Sequence, residues 1–332
     1  MFLEERVKLF VGLGKVLSKL SKEQRTELAL SARNQNSWFT EESVDFALQG
    51  IQSFLEQSSL EKWVSSYDLS HTRAKRVGVI AAGNIPLVGF HDMLSVLIAG
   101  HHLLIKPSSQ DTFLVTYIIA ELVKLDPRID AYISVVERLN DAEAYIATGS
   151  DNTARYFKHY FKDKPNVIRA NRTSLAVITG KETQTELEAL GEDVFRYYGL
   201  GCRNVSKILV PKGYELPQLL DAFAGYAAVG DHHKYRNNYD YNKSIYLVNR
   251  EPHLDNEFLL VRESEELVSP ISVLYYQYYE SHAELERYLQ AHESKIQCVV
   301  GQEYIPFGQA QLPSLEDYAD GVDTMAFLSR LE

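Results

Sequence analysis

The sequence predicts an α/β fold: a mostly parallel sheet covered by helices, a second α/β domain after it and a helical segment before it. Three observations carry this. From residue 76 onward, short β-rich apolar runs alternate with helical stretches at the spacing of βαβ units. Residues 1–70 instead place their apolar side chains at helical intervals. The chain has 332 residues, 45% hydrophobic and 24% charged. That is long enough for two cores and too apolar for a largely disordered chain.

In the first 70 residues, Ser21 with Gln24 reads as a capping box and Thr40 as a second helix start. Val7, Phe10, Val11, Leu17 and Leu20 recur at helical spacing, as do Val44, Phe46, Leu48, Ile51 and Leu55. The texture changes at Arg76. Residues 76–82 form a strand ended by Gly83, and a loop through Asn84, Ile85, Pro86 and Leu87 follows. A helix over 90–99 is stopped by Gly100, and a strand over 102–106 by Pro107. Residues 111–124 read as helix and 131–137 as extended. The strand 144–147 leads into Thr148, Gly149 and Ser150, with a helix over 151–161. Right-handed crossovers put these strand ends on one rim, where open α/β sheets bind ligands.

Residues 173–180 start a new apolar strand, and 186–198 read as a helix closed by Gly199. Strands follow at 205–210, 244–248 and 268–276, and a helix at 284–290. Of the 21 tyrosines, seven fall in clusters at 235–241 and 275–279, read as strand positions with the ring in the core and the hydroxyl at its edge. The expected division is a helical segment 1–70, domains 71–172 and 173–305, and a C-terminal segment 306–332.

Lys and Arg number 34 against 45 Asp and Glu, a net charge of −11. Such a surface is not built for nucleic acid, so an anionic ligand needs a local basic or dipolar pocket. Two cysteines, Cys202 and Cys298, make neither a disulfide framework nor a zinc cluster, and fit a reducing, cytoplasmic setting. Glu4 and Glu5 stand where a signal peptide would be basic. No apolar run approaches the roughly 18 residues of a membrane span. The N-x-S/T triplets at Asn171, Asn204 and Asn242 carry no weight without a secretory route.

Two nucleotide motifs fail. Gly12 and Gly14 begin a G-x-G-x-x-G, but Leu17 stands where the third glycine belongs and no strand precedes. Gly180 and Lys181 resemble a P-loop end, but the glycine needed five residues earlier is Leu175. Four signals remain. Cys202 lies between a helix stop and a strand, behind Gly199 and Gly201: an approachable thiolate nucleophile, or a small structural cysteine. Asn84 follows a strand and can donate its amide to an oxyanion, or simply make a turn. Lys106, before Pro107, Ser108 and Ser109, ends a strand and suits ribose hydroxyls or phosphate, or only solvent. Gly149 and Ser150 open a helix whose free N–H groups suit a phosphate, or Ser150 serves as a cap.

In this order, these segments resemble the aldehyde dehydrogenase superfamily, and within it the LuxC-type acyl-CoA reductases (fatty-acid reductases). The resemblance spans roughly residues 75–325 and also takes in Glu265, Glu266 and Pro270, Phe307 to Gln309, and Asp317 to Thr324. It implies an aldehyde dehydrogenase-like fold with a Rossmann-like cofactor domain and an α/β catalytic domain. It makes Cys202 the nucleophile, with Asn84 and the Cys202 N–H as the oxyanion hole. Lys106, with Ser108 and Ser109, would contact the adenosine ribose, Gly149 and Ser150 the pyrophosphate, and Glu266 the nicotinamide ribose; no metal is implied.

Departures from the family pattern refine this. NAD-preferring members carry Glu where this chain has Ser109, so NADP(H) is favoured over NAD(H). Hydrolytic members carry a Glu base where the alignment puts Arg169, and arginine cannot activate water at neutral pH. The implied reaction is NADPH-dependent reduction of an acyl-CoA, or a similar acyl thioester, to an aldehyde. An acyltransferase or thioesterase using the same cysteine, a nucleotide-binding pseudoenzyme and an acyl-phosphate reductase are the alternatives. Family members are longer and their oligomerisation strands are hard to find here, which leaves a homo-oligomer open. The polar stretch 230–243 reads as a loop that meets CoA phosphates, supplies a proton through His232 or His233, or is merely solvated. On a strand those two histidines point apart, which argues against a metal pair. Arg155, Lys158, Lys162 and Lys164 read as a solvated helix face.

Overall fold

The apolar periodicity of the first 70 residues folds into α1 (Leu3–Ser18), α2 (Lys22–Gln35), α3 (Glu41–Phe54) and α4 (Gln57–Ser65). Ser21 accepts the N–H of Gln24, whose side chain accepts the Ser21 N–H in return, and Thr40 caps α3 through the Ser43 N–H. The computed structural model describes residues 1–69 and 73–331. The chain divides into two units, residues 1–171 with 314–332, and residues 172–313.

The first unit contains β1 (Arg76–Ile80), α5 (Phe90–Ala99), β2 (His102–Lys106), α6 (Thr112–Leu125), β3 (Ile133–Val135), β4 (Ala144–Thr148), α7 (Asp151–Tyr160) and β5 (Asn166–Arg169). The five strands are parallel, in the order β3-β2-β1-β4-β5. The chain winds one way from β1 to β3, then the other way from β4 to β5. Right-handed crossovers therefore put α5 and α6 on one face and α7 on the other. α5 is buried along almost its whole length, Asp92 and Ser95 included, because both α1 and the C-terminal segment pack on it. Gly100 ends it at φ 92°, and the buried Arg6 donates Nε to the Ile98 carbonyl (3.0 Å), a cation at a helix C-terminus. The extended reading of 131–137 is corrected in part. Pro127–Tyr132 is a three-ten turn begun by its proline, and only β3 is strand.

The second unit contains β6 (Thr173–Val177), α8 (Gln184–Phe195), β7 (Val205–Pro211), α9 (Leu216–Ala222), α10 (His233–Asn249), β8 (Leu254–Asp255), β9 (Leu260–Glu263), β10 (Val273–Tyr279), α11 (His282–His292) and β11 (Ile296–Val300). The sheet order is β11-β6-β7-β10-β9-β8, parallel except for β8. Two expected strands are corrected here. Residues 244–248 are mostly apolar and include β-branched Ile245 and Val248, yet they lie inside α10, because Tyr235, Tyr239, Asn242 and Tyr246 form a buried helical stripe through the whole segment. The expected loop 230–243 is thereby mostly helix. His232 is its N-cap and His233 its first residue, with their rings stacked at 5.0 Å rather than facing apart across a strand. Residues 268–272 do not join β10, since Pro270 lacks an N–H and Ser272 has φ 65°.

Residues 314–331 return to the first unit. There α12 (Thr324–Ser329) packs on α5, and Leu315, Tyr318, Met325, Leu328 and Leu331 join its core. The Tyr318 hydroxyl accepts Trp63 Nε1 at 2.7 Å.

Candidate active site

In the first unit the strands run parallel, so the loops after β1, β2 and β4 share one rim, and β1 and β4 flank the point where winding reverses. Ligands bind there in open α/β sheets because two diverging loops leave a crevice. Asn84 is exposed in the loop after β1; Lys106 is the exposed last residue of β2, with half-buried Ser108 and exposed Ser109 just beyond. The two loops touch: a Cβ on Gly83 would lie 2.5 Å from the Ser108 Cβ. The Asn84 loop is fixed from other directions too. Buried Asn36 donates Nδ2 to the Gly83 carbonyl (3.1 Å), and buried Asp111 accepts the Leu87 N–H (2.7 Å), where Leu87 takes φ 55°. Burial pushes the Asp111 carboxyl up to about 8, against the pull of the Leu87 N–H. Its second oxygen is buried without a hydrogen-bond partner.

Gly149 and Ser150 follow β4. The Gly149 N–H donates to the Arg169 carbonyl (3.2 Å), and Ser150 caps α7 by accepting the Thr153 N–H (3.3 Å). A Cβ on Gly149 would meet the Thr153 side chain at 2.9 Å, so only glycine lets the strand run straight into the helix. The Asp151 carboxylate, at the same helix start, is turned to the Asn171 N–H (3.2 Å). Arg169 is buried in an ion pair with Asp92 (2.9 and 2.7 Å) and bonds Thr324 Oγ1 (2.7 Å). Arg169 is thus a guanidinium committed to structure.

In the second unit Cys202 is half-buried in the turn between α8 and β7. The backbone ahead of it is strained. Tyr197 and Tyr198 take φ 53° and 59°, and Gly199 follows at 78°. Left-handed tyrosines persist only where surroundings impose them, and such strain gathers at functional turns. Asn204 imposes much of it. Its amide donates to the carbonyls of Asp193 (3.1 Å), Val194 (3.3 Å) and Arg196 (2.7 Å), and its oxygen accepts the Gly201 N–H (2.8 Å). Ser174 Oγ donates to the Cys202 carbonyl (3.0 Å), and Arg203 Nε to the Ala310 carbonyl (2.6 Å). Buried Asp193 accepts the N–H groups of Gly308 (2.6 Å) and Ala310 (2.9 Å); burial raises its carboxyl to about 6 despite those bonds. Cys298, the other cysteine, is buried with its Sγ 3.0 Å from Ser174 Oγ. Glu266 is exposed in the loop between β9 and β10, and Tyr275 donates its hydroxyl toward it at 3.4 Å.

Each unit therefore gathers part of the expected set: Asn84, Lys106, Ser108, Ser109, Gly149 and Ser150 on one rim, and Cys202 and Glu266 in the second sheet's loops. Sequence reasoning missed Asn204, Ser174, Asp193 and Asp111. Asn204 entered only as a glycosylation triplet, and a polar residue two positions after a candidate nucleophile was the available signal. Among the described residues no group of three or more His, Cys, Asp or Glu could hold a metal ion, and no helix is long and apolar enough to cross a membrane.

The acyl-CoA reductase (LuxC) family model matches residues 17–218. That span includes every expected site residue except Glu266. No curated protein matches the sequence. Among solved structures the chain is similar to the aldehyde dehydrogenase KauB from Pseudomonas aeruginosa, with 14% identity over 91% of this chain and 72% of that one, at a TM-score of 0.65. It is similar to a Mycobacterium tuberculosis aldehyde dehydrogenase complexed with NAD+ (13% identity, 90% of this chain, 73% of that one, TM-score 0.64). A Bacillus cereus aldehyde dehydrogenase in its NAD+ complex gives 15% identity over 91% of this chain and 72% of that one, at a TM-score of 0.63. At these identities the likeness is one of fold, and the fold is the α/β architecture of aldehyde dehydrogenases.

Proposed function

The chain belongs to the acyl-CoA reductase (LuxC) family, and on that premise we propose that it reduces an acyl-CoA, or a similar acyl thioester, to the aldehyde through a Cys202 acyl-enzyme, with NADPH preferred over NADH. Membership carries the reaction class, an oxidoreductase working between the acyl and aldehyde levels. In this reading the first unit holds the cofactor and the second carries the nucleophile.

The Cys202 sulfur forms a bond to the thioester carbonyl carbon. The bond from that carbon to the CoA sulfur breaks, and CoA leaves as thiolate and takes up a proton. The Asn84 amide and the Cys202 N–H are the donors for the oxyanion. Cysteine suits the role because the residue must attack and later depart, and thiolate does both well. A bound nicotinamide supplies hydride to the acyl carbon. Collapse of the thiohemiacetal on Cys202 then breaks the carbon–sulfur bond, frees the aldehyde and restores the thiolate. Arg169 provides no base for water, which keeps the acyl-enzyme from draining to free acid.

The donor set on the first unit's rim fits a dinucleotide phosphate. Lys106 offers an exposed cation, the α7 N-terminus offers N–H groups, and the nearest carboxylate there, Asp151, is turned to Asn171. Ser109 places a hydroxyl where a carboxylate would repel a 2′-phosphate. The observation that carries the reading is a family match embracing a half-exposed Cys202 in a turn held under strain.

The test is intact-protein mass spectrometry after mixing with a panel of acyl-CoAs, followed by NADPH. One acyl adduct should appear, vanish in Cys202→Ala, and discharge as aldehyde with NADPH consumed one for one. No adduct with any thioester removes the proposal. An adduct that NADPH leaves unreduced, discharging instead to water or thiol, points to the acyltransferase or thioesterase.

A further inference from the structure

Lys207 is a fully buried lysine that the chemistry above does not use. Lysine is almost never buried without partners, since its ammonium loses hydration. Here Nζ donates to Gln277 Oε1 (2.7 Å), the Tyr288 hydroxyl (2.8 Å) and the Glu265 carbonyl (3.3 Å). The ammonium is thus solvated by three neutral oxygens drawn from β10, α11 and the loop after β9. Burial pulls its pKa down toward about 8, with Glu265 opposing. The neighbouring Ser206 acts on the same loop. Its Oγ donates to the Leu267 carbonyl (3.1 Å) and lies 2.6 Å from Thr173 Oγ1.

The two grips fall on Glu265 and Leu267, the residues on either side of Glu266. Both come from β7, the strand that begins three residues after Cys202. We propose that Ser206 and Lys207 are positioning residues for Glu266, fixing its backbone on both flanks so that its carboxylate is held ready for the nicotinamide ribose. This rests on the reading that Glu266 meets that ribose. One stiff strand then carries the nucleophile's turn at its start and, through two side chains, the loop that meets the cofactor. Burying an ammonium is costly, and the arrangement gains what an apolar residue at 207 could not supply: a donor aimed at a loop carbonyl.

The experiment is a double-mutant cycle on NADPH binding to the full chain, with Lys207→Met, Ser206→Ala and Glu266→Ala, singly and combined. Amide hydrogen exchange over 264–268 and acylation of Cys202 by acyl-CoA are followed in parallel. Lys207→Met should weaken NADPH by about ten-fold in the wild-type background and by less than about two-fold beside Glu266→Ala, because residues acting through one another are not additive. Exchange over 264–268 should quicken, while Cys202 acylates as before. Equal losses in both backgrounds, or unchanged exchange, overturn the proposal, since a merely structural lysine would act regardless of Glu266. If Lys207→Met does not fold, Ser206→Ala decides by the same cycle, with a loss of about three-fold expected for one neutral hydrogen bond. A wild-type chain that binds neither NADPH nor NADH sinks the functional reading itself. Failure of the positioning role alone shows only in the variants.

Discussion

The amide of Asn204 is buried, with its nitrogen donating to carbonyls at the end of α8 and its oxygen accepting from Gly201. Asn204→Ala leaves those groups without partners inside the protein. It should cost roughly 2–4 kcal/mol, read by urea denaturation, and slow Cys202 acylation even at temperatures where the variant stays folded. The buried Arg169–Asp92 pair is similarly unforgiving. Arg169→Met strands a carboxylate and should cost about 3–5 kcal/mol. Asp111 makes a prediction in pH. Its folded pKa, about 8, lies above the ordinary carboxylate range, so between those limits the folded chain holds a proton that the unfolded chain has lost. Its contribution to stability therefore falls as pH rises through that window and levels off above about 8. Asp111→Asn should flatten the slope, as measured by denaturant midpoints across the window. In the sequence Arg169 entered only as a departure from a hydrolytic base and Asn204 only as a glycosylation triplet; the buried roles of these residues did not declare themselves. Buried polar groups look like any loop asparagine or aspartate until the backbone they serve is folded around them.

Among the elements, the loops after β1 and β2 depend on contact at Gly83. Gly83→Ala would drive a methyl into Ser108 and should lower the thermal midpoint, by about 1–3 kcal/mol in stability, and Ser108→Gly should restore much of it. Independence of the two changes would rule out the contact as the cause. β1, β2, β4 and β7 were legible because each is a short apolar run closed by glycine, proline or a polar turn. β5 and β11 were not: β5 has four residues with polar Asn166 and Arg169 at its ends, and Gln297 breaks the apolar run of β11. Helix α10 misled for the opposite reason. Its C-terminal half favours strand locally, and only the tyrosine stripe over its whole length reveals the helical period.

For the molecule as a whole, a net charge of −11 coexists with a rim whose exposed Lys106 and helix terminus suit an anion. NADPH should therefore stabilise the full chain by linkage, about 2.7 kcal/mol at a hundred-fold excess over its Kd, and more than NADH at equal concentration. The shift should survive Cys202→Ala; a thermal scan showing none in either protein would contradict cofactor binding. The parallel-sheet architecture was readable from alternation, which each segment displays locally. The docking of 314–331 against α5 was not, because its partners lie hundreds of residues away and nothing in Met325 or Leu328 announces them. That docking sets an order of events during synthesis. A ribosome delivers Asp92 and Arg169 long before Thr324, so the core of the first unit cannot close until the whole of the second unit has been synthesised. A chain truncated after residue 313 and released from the ribosome should resist proteolysis over residues 172–313 and be cut along α5.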